Sequence, residues 1–372
     1  MRNSHTLSLI EEAFEKIQEF NYKGRMNEYD RASQEIHLRG LKRGLKILIN
    51  DRLLGKFGLH LIHKGEEQNY SKSNKWSSVG TIQLALKNAE KFDEVYNILS
   101  DEDSKYTFDW FIKYRLAYAF LGMLAGEIFP PKVTKAEFLK GMNDLKINSR
   151  SGSVNIGNFS FDSEAFIIAG SWIFEQYYLK GKCEVSKGDY IIDGGAFKGE
   201  TSFWFLSKGA GKVYAFEPSL YNFLVLFKNI KRNKAEDKII PVQKVLSNRI
   251  GTFSFYETYS GGGGSVALTG GNEIIEGVTL DSFVEKEGLN RLDFIKLDVE
   301  GAELEVLEGA VNTIKKFKPK MVISVYHKPD DIITIPGFIL EILPKAKFYL
   351  SHRNYELTET VLFVNAREEE RL

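Results

Sequence analysis

After residue 189 the chain alternates short apolar runs with helical patterns, and this alternation constrains the fold more than any other feature of the sequence. Buried strands are predicted at Tyr190–Ile192, Val213–Phe216, Ile239–Val242, Phe294–Leu297 and Met321–Val325. Helical patterns lie between several of these runs, at Thr201–Leu206, Tyr221–Ile230 and Glu303–Lys316. Strands that alternate with helices are typical of βαβ units. The sequence therefore predicts an α/β fold with a mostly parallel sheet.

The last part of the chain departs from this alternation. Phe348–Leu350 and Val361–Val364 are strand candidates with no helical pattern between them. Parallel neighbours need a long crossover, usually a helix, whereas antiparallel neighbours are joined by a short connection. We therefore predict an antiparallel hairpin at the end of the sheet.

The first 150 residues have mainly helical patterns. Ile10, Phe14 and Ile17 recur at i, i+4 and i+7, which places them on one face of a helix. Ser8–Glu11 and Thr134–Glu137 both have the spacing of a capping box, so each predicts a helix start.

The pattern changes near Ser151-Gly152-Ser153, where short alternating segments begin. We predict a helical N-terminal domain over 1–150, a connecting segment with short strands over 151–188, and an α/β domain over 189–372. The N-terminal helices are a candidate surface for a homo-oligomer or another partner. Their basic stretch at 39–46 is interpreted as a solvated helical face, with a membrane-surface or partner-binding helix as the alternative.

Composition excludes several classes of protein. The 372 residues carry 50 Lys plus Arg and 50 Asp plus Glu, which excludes nucleic-acid binding that depends on a strongly basic chain. A single cysteine, Cys183, excludes an intrachain disulfide framework and a Cys-rich zinc site. No apolar run reaches the roughly 18 residues of a membrane span, and the N-terminus lacks the apolar core of a secretory signal. We therefore expect a soluble, cytoplasmic protein.

A glycine-rich loop follows the first predicted strand of the α/β part. Residues 193–201 read Asp-Gly-Gly-Ala-Phe-Lys-Gly-Glu-Thr, and the glycines let the backbone turn tightly and approach a ligand. Glu217 stands at the end of the next strand, where a carboxylate can accept hydrogen bonds from both hydroxyls of a ribose. Ligands of open α/β sheets bind beyond such strand ends. The pair of acids around this loop predicts a nucleoside-containing cofactor.

A nicotinamide dinucleotide is the main competing cofactor for this loop. Its fingerprint is G-x-G-x-x-G, whereas the loop has two adjacent glycines, three further residues and then Gly199. The loop also begins with Asp193, whose carboxylate would repel a pyrophosphate. The same carboxylate is compatible with a cationic, amino-acid-bearing cofactor such as S-adenosylmethionine. A tight βα turn without a ligand is the structural alternative.

A second acidic constellation follows a later strand. Lys296 and Asp298 alternate with apolar residues, and Glu300 and Glu303 follow where a helix begins. Glu300 and Glu303 can simply favour the positive end of that helix. Asp298 lies at the strand end, beside the predicted cofactor strand, and is a candidate catalytic residue. Lys296 is expected to pair with a neighbouring carboxylate.

His327 follows the strand Met321–Val325 and is a candidate general base. A hydroxyl is a weak nucleophile until it loses its proton, and a neutral imidazole near pH 7 can accept that proton. Asp298 can orient this base or act as the base itself. His327, Asp298 and Glu300 are also chemically suited to a divalent metal, but nothing in their spacing demands one, so no metal is predicted.

At these residues the sequence resembles the FkbM-type S-adenosylmethionine-dependent methyltransferases. Together the matching segments span roughly half of the chain. They are Asp193–Ala196, Ala215–Pro218, Thr279–Asp281, Ile295–Glu303, Tyr326–Pro329 and Thr358–Phe363. The helical N-terminal part is not covered.

The resemblance implies a class I methyltransferase fold, a Rossmann-like seven-stranded sheet whose last strand is antiparallel. It implies S-adenosylmethionine as cofactor and methyl transfer to a hydroxyl of a sugar, glycan or natural-product acceptor. In the family pattern the amino-acid end of the cofactor contacts Asp193 and Gly195, with the neighbouring backbone of Gly194, Ala196 and Phe197. The same pattern assigns the ribose to Glu217, followed by Pro218, and the adenine to the neighbourhood of Leu246 and Ser247.

Two other functions remain open from the sequence. One is an NAD-dependent oxidoreductase or nucleotide-sugar enzyme on a similar sheet. The other is a non-enzymatic interaction protein whose N-terminal half binds a partner. The acids Asp193, Glu217 and Asp298 argue against the second, since an inactive sheet has no need of them.

Overall fold

The computed structural model describes residues 4–20, 72–147, 153–256, 265–266 and 273–367. The basic stretch at 39–46 and the predicted boundary residues Ser151 and Gly152 lie outside these ranges. The chain forms two compact units, one of Met1–Asp93 with Phe108–Pro130 and one of Glu94–Thr107 with Pro131–Leu372. No helix in the described ranges is both long and apolar enough to cross a membrane.

The N-terminal part is helical, as predicted. Its helices are α1 His5–Glu19, α2 Lys72–Lys87, α3 Ala89–Ile98, α4 Glu102–Leu121, α5 Ala125–Ile128 and α6 Lys135–Asn143. Within the first unit, Thr6 donates from its backbone N–H and from its hydroxyl to Asp93 Oδ1, at 2.8 and 2.6 Å. These hydrogen bonds join the start of α1 to Asp93 in α3.

Two predicted helix starts have different outcomes. Thr134 forms a complete capping box, since its Oγ1 accepts the Glu137 N–H at 3.2 Å and Glu137 Oε2 accepts the Thr134 N–H at 2.8 Å. The start predicted at Ser8 is wrong. Helix α1 begins at His5, because the Ser4 hydroxyl already accepts the Leu7 N–H, and Ser8 lies inside the helix.

The second unit contains the strands. They are β1 Lys146–Ile147, β2 Val154–Ile156, β3 Phe159–Phe161, β4 Tyr190–Gly194, β5 Lys212–Phe216, β6 Ile239–Val242, β7 Val245–Leu246, β8 Gly251–Tyr256, β9 Ser265–Val266, β10 Glu273–Val278, β11 Phe294–Leu297, β12 Lys320–Ser324, β13 Lys347–His352 and β14 Thr360–Asn365. Its remaining helices are α7 Ala165–Ile168, α8 Glu200–Ser207, α9 Leu220–Arg232, α10 Leu280–Lys286, α11 Glu303–Glu308, α12 Val311–Phe317 and α13 Asp331–Ile342.

The main sheet has seven strands in the order β13-β14-β12-β11-β4-β5-β6. Strands β12, β11, β4, β5 and β6 are mutually parallel, and β14 is antiparallel to both β12 and β13. This confirms the predicted fold class, including the antiparallel last strand. Because β11, β4 and β5 are adjacent and parallel, their carboxyl ends open onto one edge of the sheet.

The connecting segment before β4 is held against the main sheet. Asn229 Oδ1 in α9 accepts the Asp162 N–H, and Oδ1 of Asn233, the residue after α9, accepts the Ser160 N–H, both at 2.9 Å. Phe161 packs on Phe203 of α8 with ring centroids 5.1 Å apart. This attachment brings residues 164–177 to the edge where the strands end.

The helix predicted over Glu303–Lys316 is divided into α11 and α12 around Gly309. A Cβ at Gly309 would lie 2.2 Å from the Ser247 carbonyl oxygen, so the backbone passes too close to Ser247 for a side chain.

A smaller sheet in the order β7-β10-β8-β9 lies between β6 and β11 in the chain and is not predicted from the sequence.

We expect Thr134→Ala to lower the free energy of unfolding by about 1 kcal/mol, because the capping hydroxyl of α6 is lost. Ser8→Ala has the same sequence spacing but no capping role, so it should be neutral or stabilise α1 by roughly 0.5 kcal/mol. Urea unfolding followed by circular dichroism measures both. Equal losses in the two variants would contradict the assignment of the caps.

Candidate active site

The glycine-rich loop folds directly against the end of β11. Gly195 has φ +73°, and a Cβ there would lie 1.8 Å from the Asp298 carbonyl oxygen. The N–H groups of Gly195 and Ala196 both donate to the Phe216 carbonyl, at 3.0 and 2.9 Å. Only glycine fits at position 195, because the conformation and the space both exclude a side chain. The loop thereby draws together the ends of β4, β5 and β11.

Asp193 lies inside the protein and does not border the cavity described below. Its Oδ2 accepts hydrogen bonds from the hydroxyls of Thr201 and Ser202, at 2.7 and 2.6 Å. Its Oδ1 is 3.2 Å from Lys296 Nζ, which also donates to the Gly195 carbonyl at 2.7 Å. Burial lowers the pKa of Lys296, but the Asp193 and Asp298 carboxylates outweigh it and raise that pKa above its usual value. Asp193 therefore fixes the loop and the start of α8.

Glu217 ends β5 and faces the loop. Its Oε2 accepts the Phe197 N–H and its Oε1 accepts the Ser219 N–H, both at 2.9 Å. Burial raises the pKa of Glu217 to about 8, although both hydrogen bonds favour the ionised form. Each oxygen keeps an unused lone pair, so the carboxylate can accept two further hydrogen bonds.

One cavity of about 340 Å³ lies beyond the ends of β4, β5 and β11. Of the residues proposed from the sequence, its wall includes Gly195, Ala196, Phe197, Glu217, Pro218, Leu246 and Asp298. Asp193, Gly194, Ser247 and His327 are not part of this wall. The structure thus brings most of the predicted cofactor residues and one predicted catalytic residue to a single cavity.

Asp298 belongs to a polar group in the wall of the cavity. Tyr177 Oη donates to its Oδ2 at 2.9 Å, and Tyr326 Oη donates to its Oδ1 at 3.1 Å. Tyr326 Oη is also 3.4 Å from Glu359 Oε1, and Gln176 donates to Glu359 Oε2 at 3.0 Å. Burial and the Asp298 charge raise the pKa of Glu359 to about 8. Hydroxyl, amide and carboxyl groups in one pocket suit a ligand with several hydroxyls.

His327 lies behind Asp298, among three carboxylates. Its Nδ1 is 3.0 Å from Glu303 Oε1, and its Nε2 is 3.6 Å from Asp298 Oδ1 and 3.7 Å from Glu300 Oε2. Burial lowers the pKa of His327, but these carboxylates raise it to about 10. The ring is therefore a cation near pH 7, which differs from the neutral imidazole that the sequence led us to expect.

Sequence reasoning missed several residues of the cavity wall. Tyr326 and Glu359 lie inside the family-like segments Tyr326–Pro329 and Thr358–Phe363, so those segments carried a usable signal. Gln176 and Tyr177 precede β4 in the connecting segment, where no motif marks them.

We expect Lys296→Met to lower the free energy of unfolding by roughly 3–5 kcal/mol, because Asp193 would be left as an uncompensated buried charge. The double variant Asp193→Asn with Lys296→Met removes both charges and should recover part of that loss. Chemical unfolding of the two variants tests this expectation. A loss under about 1 kcal/mol for Lys296→Met would show that the ion pair is dispensable.

Comparisons with known proteins agree with this architecture. Residues 193–357 match the Methyltransferase FkbM domain. The hexuronic acid methyltransferase AglP of Haloferax volcanii is 32% identical over 136 residues, which are 36% of this chain and 54% of that protein. The methyltransferase sdnD of Sordaria araneosa is 28% identical over 154 residues, with 32% of this chain and 60% of that protein covered. This chain thus spans between half and two thirds of the length of these relatives.

A solved structure shares the fold. The FkbM methyltransferase of Methylobacillus flagellatus KT superposes with a TM-score of 0.51 at 18% identity, over 75% of this chain and 59% of that one. The family match, the strand order and the glycine-rich loop after β4 agree with one another. Residues 193–357 therefore match a methyltransferase FkbM domain, which confirms the resemblance seen in the sequence.

Proposed function

We propose that this protein is an S-adenosylmethionine-dependent methyltransferase that acts on a hydroxyl of a sugar, glycan or natural-product acceptor. The observation that carries the proposal is that one cavity borders both Glu217 and Asp298. Glu217 lies beside the glycine-rich loop, and Asp298 lies in the hydroxyl-rich group with Tyr177 and Tyr326. A donor and an acceptor can therefore occupy the same cavity.

The residues beside the loop fit the cofactor. Gly195 has no side chain and borders the cavity, so a ligand there can contact its backbone. Glu217 has two free acceptor positions, which match the two hydroxyls of a ribose. Leu246 offers an apolar wall for the adenine. When bound, S-adenosylmethionine supplies a methyl group that its positively charged sulfur has already activated.

The same wall disfavours a nicotinamide dinucleotide, the alternative from the sequence. Glu164 and Glu200 also border the cavity near the loop. Burial raises the pKa of Glu200 to about 7, while Lys198 pairs with Glu164 at 2.5 Å. Carboxyl groups at this place would repel a pyrophosphate but tolerate the ammonium group of an amino acid. This charge pattern supports the methyl donor.

The polar group around Asp298, which also contains Tyr177 and Tyr326, would hold the acceptor. Asp298 is a carboxylate on the wall that can accept a hydrogen bond from the reacting hydroxyl and then its proton. Tyr177 and Tyr326 fix the orientation of Asp298 through its two oxygens. His327 lies behind Asp298 and would act through it, so we propose it as a positioning residue. Alignment of the acceptor oxygen with the methyl group is the protein's main contribution to the rate.

A sugar acceptor is supported by two observations. Gln176, Glu359 and the two tyrosines present several hydrogen-bonding groups to one end of the cavity. The relative AglP is named a hexuronic acid methyltransferase, which is a sugar methyltransferase by description.

We expect Glu217→Gln to weaken S-adenosylmethionine binding by roughly ten- to a hundredfold, since a charged acceptor of two hydroxyl hydrogen bonds is lost. Isothermal titration calorimetry measures the affinity, and Glu236→Gln, an exposed acid, is the matched control. Unchanged affinity in Glu217→Gln would contradict the ribose assignment. No binding by the folded wild type would contradict the cofactor.

The pH dependence of binding provides a sharper form of that measurement. Ribose hydroxyls donate hydrogen bonds and so favour the ionised form of Glu217. At any pH where the Glu217 carboxyl group is protonated in the free protein, it must therefore lose that proton when the cofactor binds. With its pKa raised to about 8 in the free protein, affinity should rise as the pH approaches 8 and then level off. Glu217→Gln should lack this rise.

We expect Asp298→Asn to reduce turnover by at least about a hundredfold, because the acceptor hydroxyl loses its proton acceptor. Release of S-adenosylhomocysteine with a panel of neutral, amino and uronic acid glycosides measures turnover, and calorimetry shows whether the cofactor still binds. Asp237→Asn, at an exposed position, should behave as wild type. Undiminished turnover in Asp298→Asn would remove it from the chemistry.

A further inference from the structure

Asp298, Glu303 and His327 converge behind the cavity wall, and we call them the carboxylate–histidine cluster. They come from three elements: Asp298 follows β11, Glu303 begins α11, and His327 follows β12. One potential ligand atom from each residue lies within 4.8 Å of the other two. Three residues distant in the chain thus place nitrogen and oxygen donors at one point.

Two atoms of the cluster lack hydrogen-bond partners among the described residues. They are His327 Nδ1 and Glu303 Oε2, and the Glu303 side chain is fully buried. His327 Nδ1 is nevertheless 3.0 Å from Glu303 Oε1. Two ligand atoms that each lie about 2.1 Å from one ion are themselves about 3 Å apart. The 3.0 Å spacing is that of an ion pair and is also compatible with two ligand atoms on one cation, and the buried Glu303 Oε2 remains without a partner in the described part of the chain.

The charges around the cluster also favour a cation. Asp298, Glu303 and the nearby Glu300 bring three carboxylates to His327, so the single positive charge of the protonated ring does not balance them. Lys296 does not balance them fully, because its ammonium is paired with Asp193 at 3.2 Å. Lys328, next to His327, is paired with Glu305 at 3.1 Å. Buried carboxylates are stable when they are paired or coordinate a metal.

We propose that the carboxylate–histidine cluster binds a divalent transition-metal ion. The ion would replace a proton of the His327 ring, which is released to solvent on binding. One neutral imidazole with two carboxylates suits Mn²⁺ or Zn²⁺, whereas Mg²⁺ and Ca²⁺ prefer oxygen ligands alone. Three protein ligands leave coordination positions open for water or a substrate oxygen, as in catalytic rather than structural sites. The sequence spacing predicted no metal here, because it does not show that α11 brings Glu303 to His327.

The role of this ion rests on the proposed function. Asp298 belongs both to the cluster and to the cavity wall, so an ion on it would be within reach of an acceptor oxygen. A divalent ion lowers the pKa of an oxygen that it binds, and this would help the acceptor hydroxyl to lose its proton. The ion does not change its oxidation state in that role.

Binding is tested without any methyl donor or acceptor. Chelator-treated full-length protein is titrated with Mn²⁺, and electron paramagnetic resonance measures the Mn²⁺ that stays free. We expect one Mn²⁺ per chain, displaced by Zn²⁺. The pulsed spectrum of the bound ion should show coupling to a histidine nitrogen, which needs no variant and so does not depend on how variants fold.

Variants then locate the ion. Glu303→Gln and His327→Gln should each weaken Mn²⁺ binding at least tenfold, and His327→Gln should remove the nitrogen coupling. Glu305→Gln changes an acid of the same helix that lies outside the cluster, and it should bind Mn²⁺ as wild type does. Circular dichroism and S-adenosylmethionine affinity check that each variant is folded.

The outcomes separate this inference from the proposed function. Folded wild type that retains neither Mn²⁺ nor Zn²⁺ would overturn the metal site, and so would equal Mn²⁺ affinity in wild type, Glu303→Gln and His327→Gln. In either case, binding of S-adenosylmethionine would leave the methyltransferase proposal standing. Metal binding without binding of the methyl donor would instead support the metal site and contradict the methyltransferase proposal.

Discussion

The buried pair of Asp193 and Lys296 is the interaction on which the site depends. The two residues are register neighbours on β4 and β11, so their side chains leave the same face of the sheet and meet inside the protein. Lys296 also holds the carbonyl of Gly195, and Asp193 holds the hydroxyls of Thr201 and Ser202. One ion pair therefore ties β4, β11, the glycine-rich loop and the start of α8. Together with the hydrogen bonds from the loop to Phe216 and Glu217, it fixes the loop backbone that borders the cavity.

The site contrasts two kinds of buried acid. Asp193 is buried, contacts Thr201, Ser202 and Lys296, and does not border the cavity. Glu217 and Asp298 border the cavity, where their oxygens can accept hydrogen bonds from a ligand. The sequence shows all three at strand ends, but it does not show which way each side chain points. That direction follows from register and from the neighbouring elements, and it separates a residue that builds the loop from residues that can bind.

The main sheet could be predicted because parallel strands that are buried on both faces have short, continuous apolar sequences. The sheet containing β8 and β10 was missed, since its strands are partly exposed and their apolar signal is weak. Helix α13 was also missed, because Ile, Thr, Pro and Gly at positions 332–337 disfavour a helix and tertiary packing of Ile332, Ile335 and Ile339 overrides them. The division of the chain at residues 150 and 188 stays a prediction, as do the roles of the individual site residues and of the N-terminal helices.

The wall of the cavity has two origins in the chain. Phe166, Gly170, Gln176 and Tyr177 precede residue 193, so they lie outside the segment that matches the FkbM domain, while the loop and Glu217 lie inside it. The earlier segment is attached to α9 through its backbone, which binds Asn229 and Asn233, and through the Asp162 side chain, which binds Arg232. Substitutions at Gln176 or Tyr177 can therefore reshape the surroundings of Asp298 and Glu359 while the glycine-rich loop and Glu217 are unchanged. Part of the wall beside the proposed acceptor thus lies outside the FkbM-domain segment, while the residues proposed to bind the cofactor lie inside it. The first set can therefore vary while the second is kept.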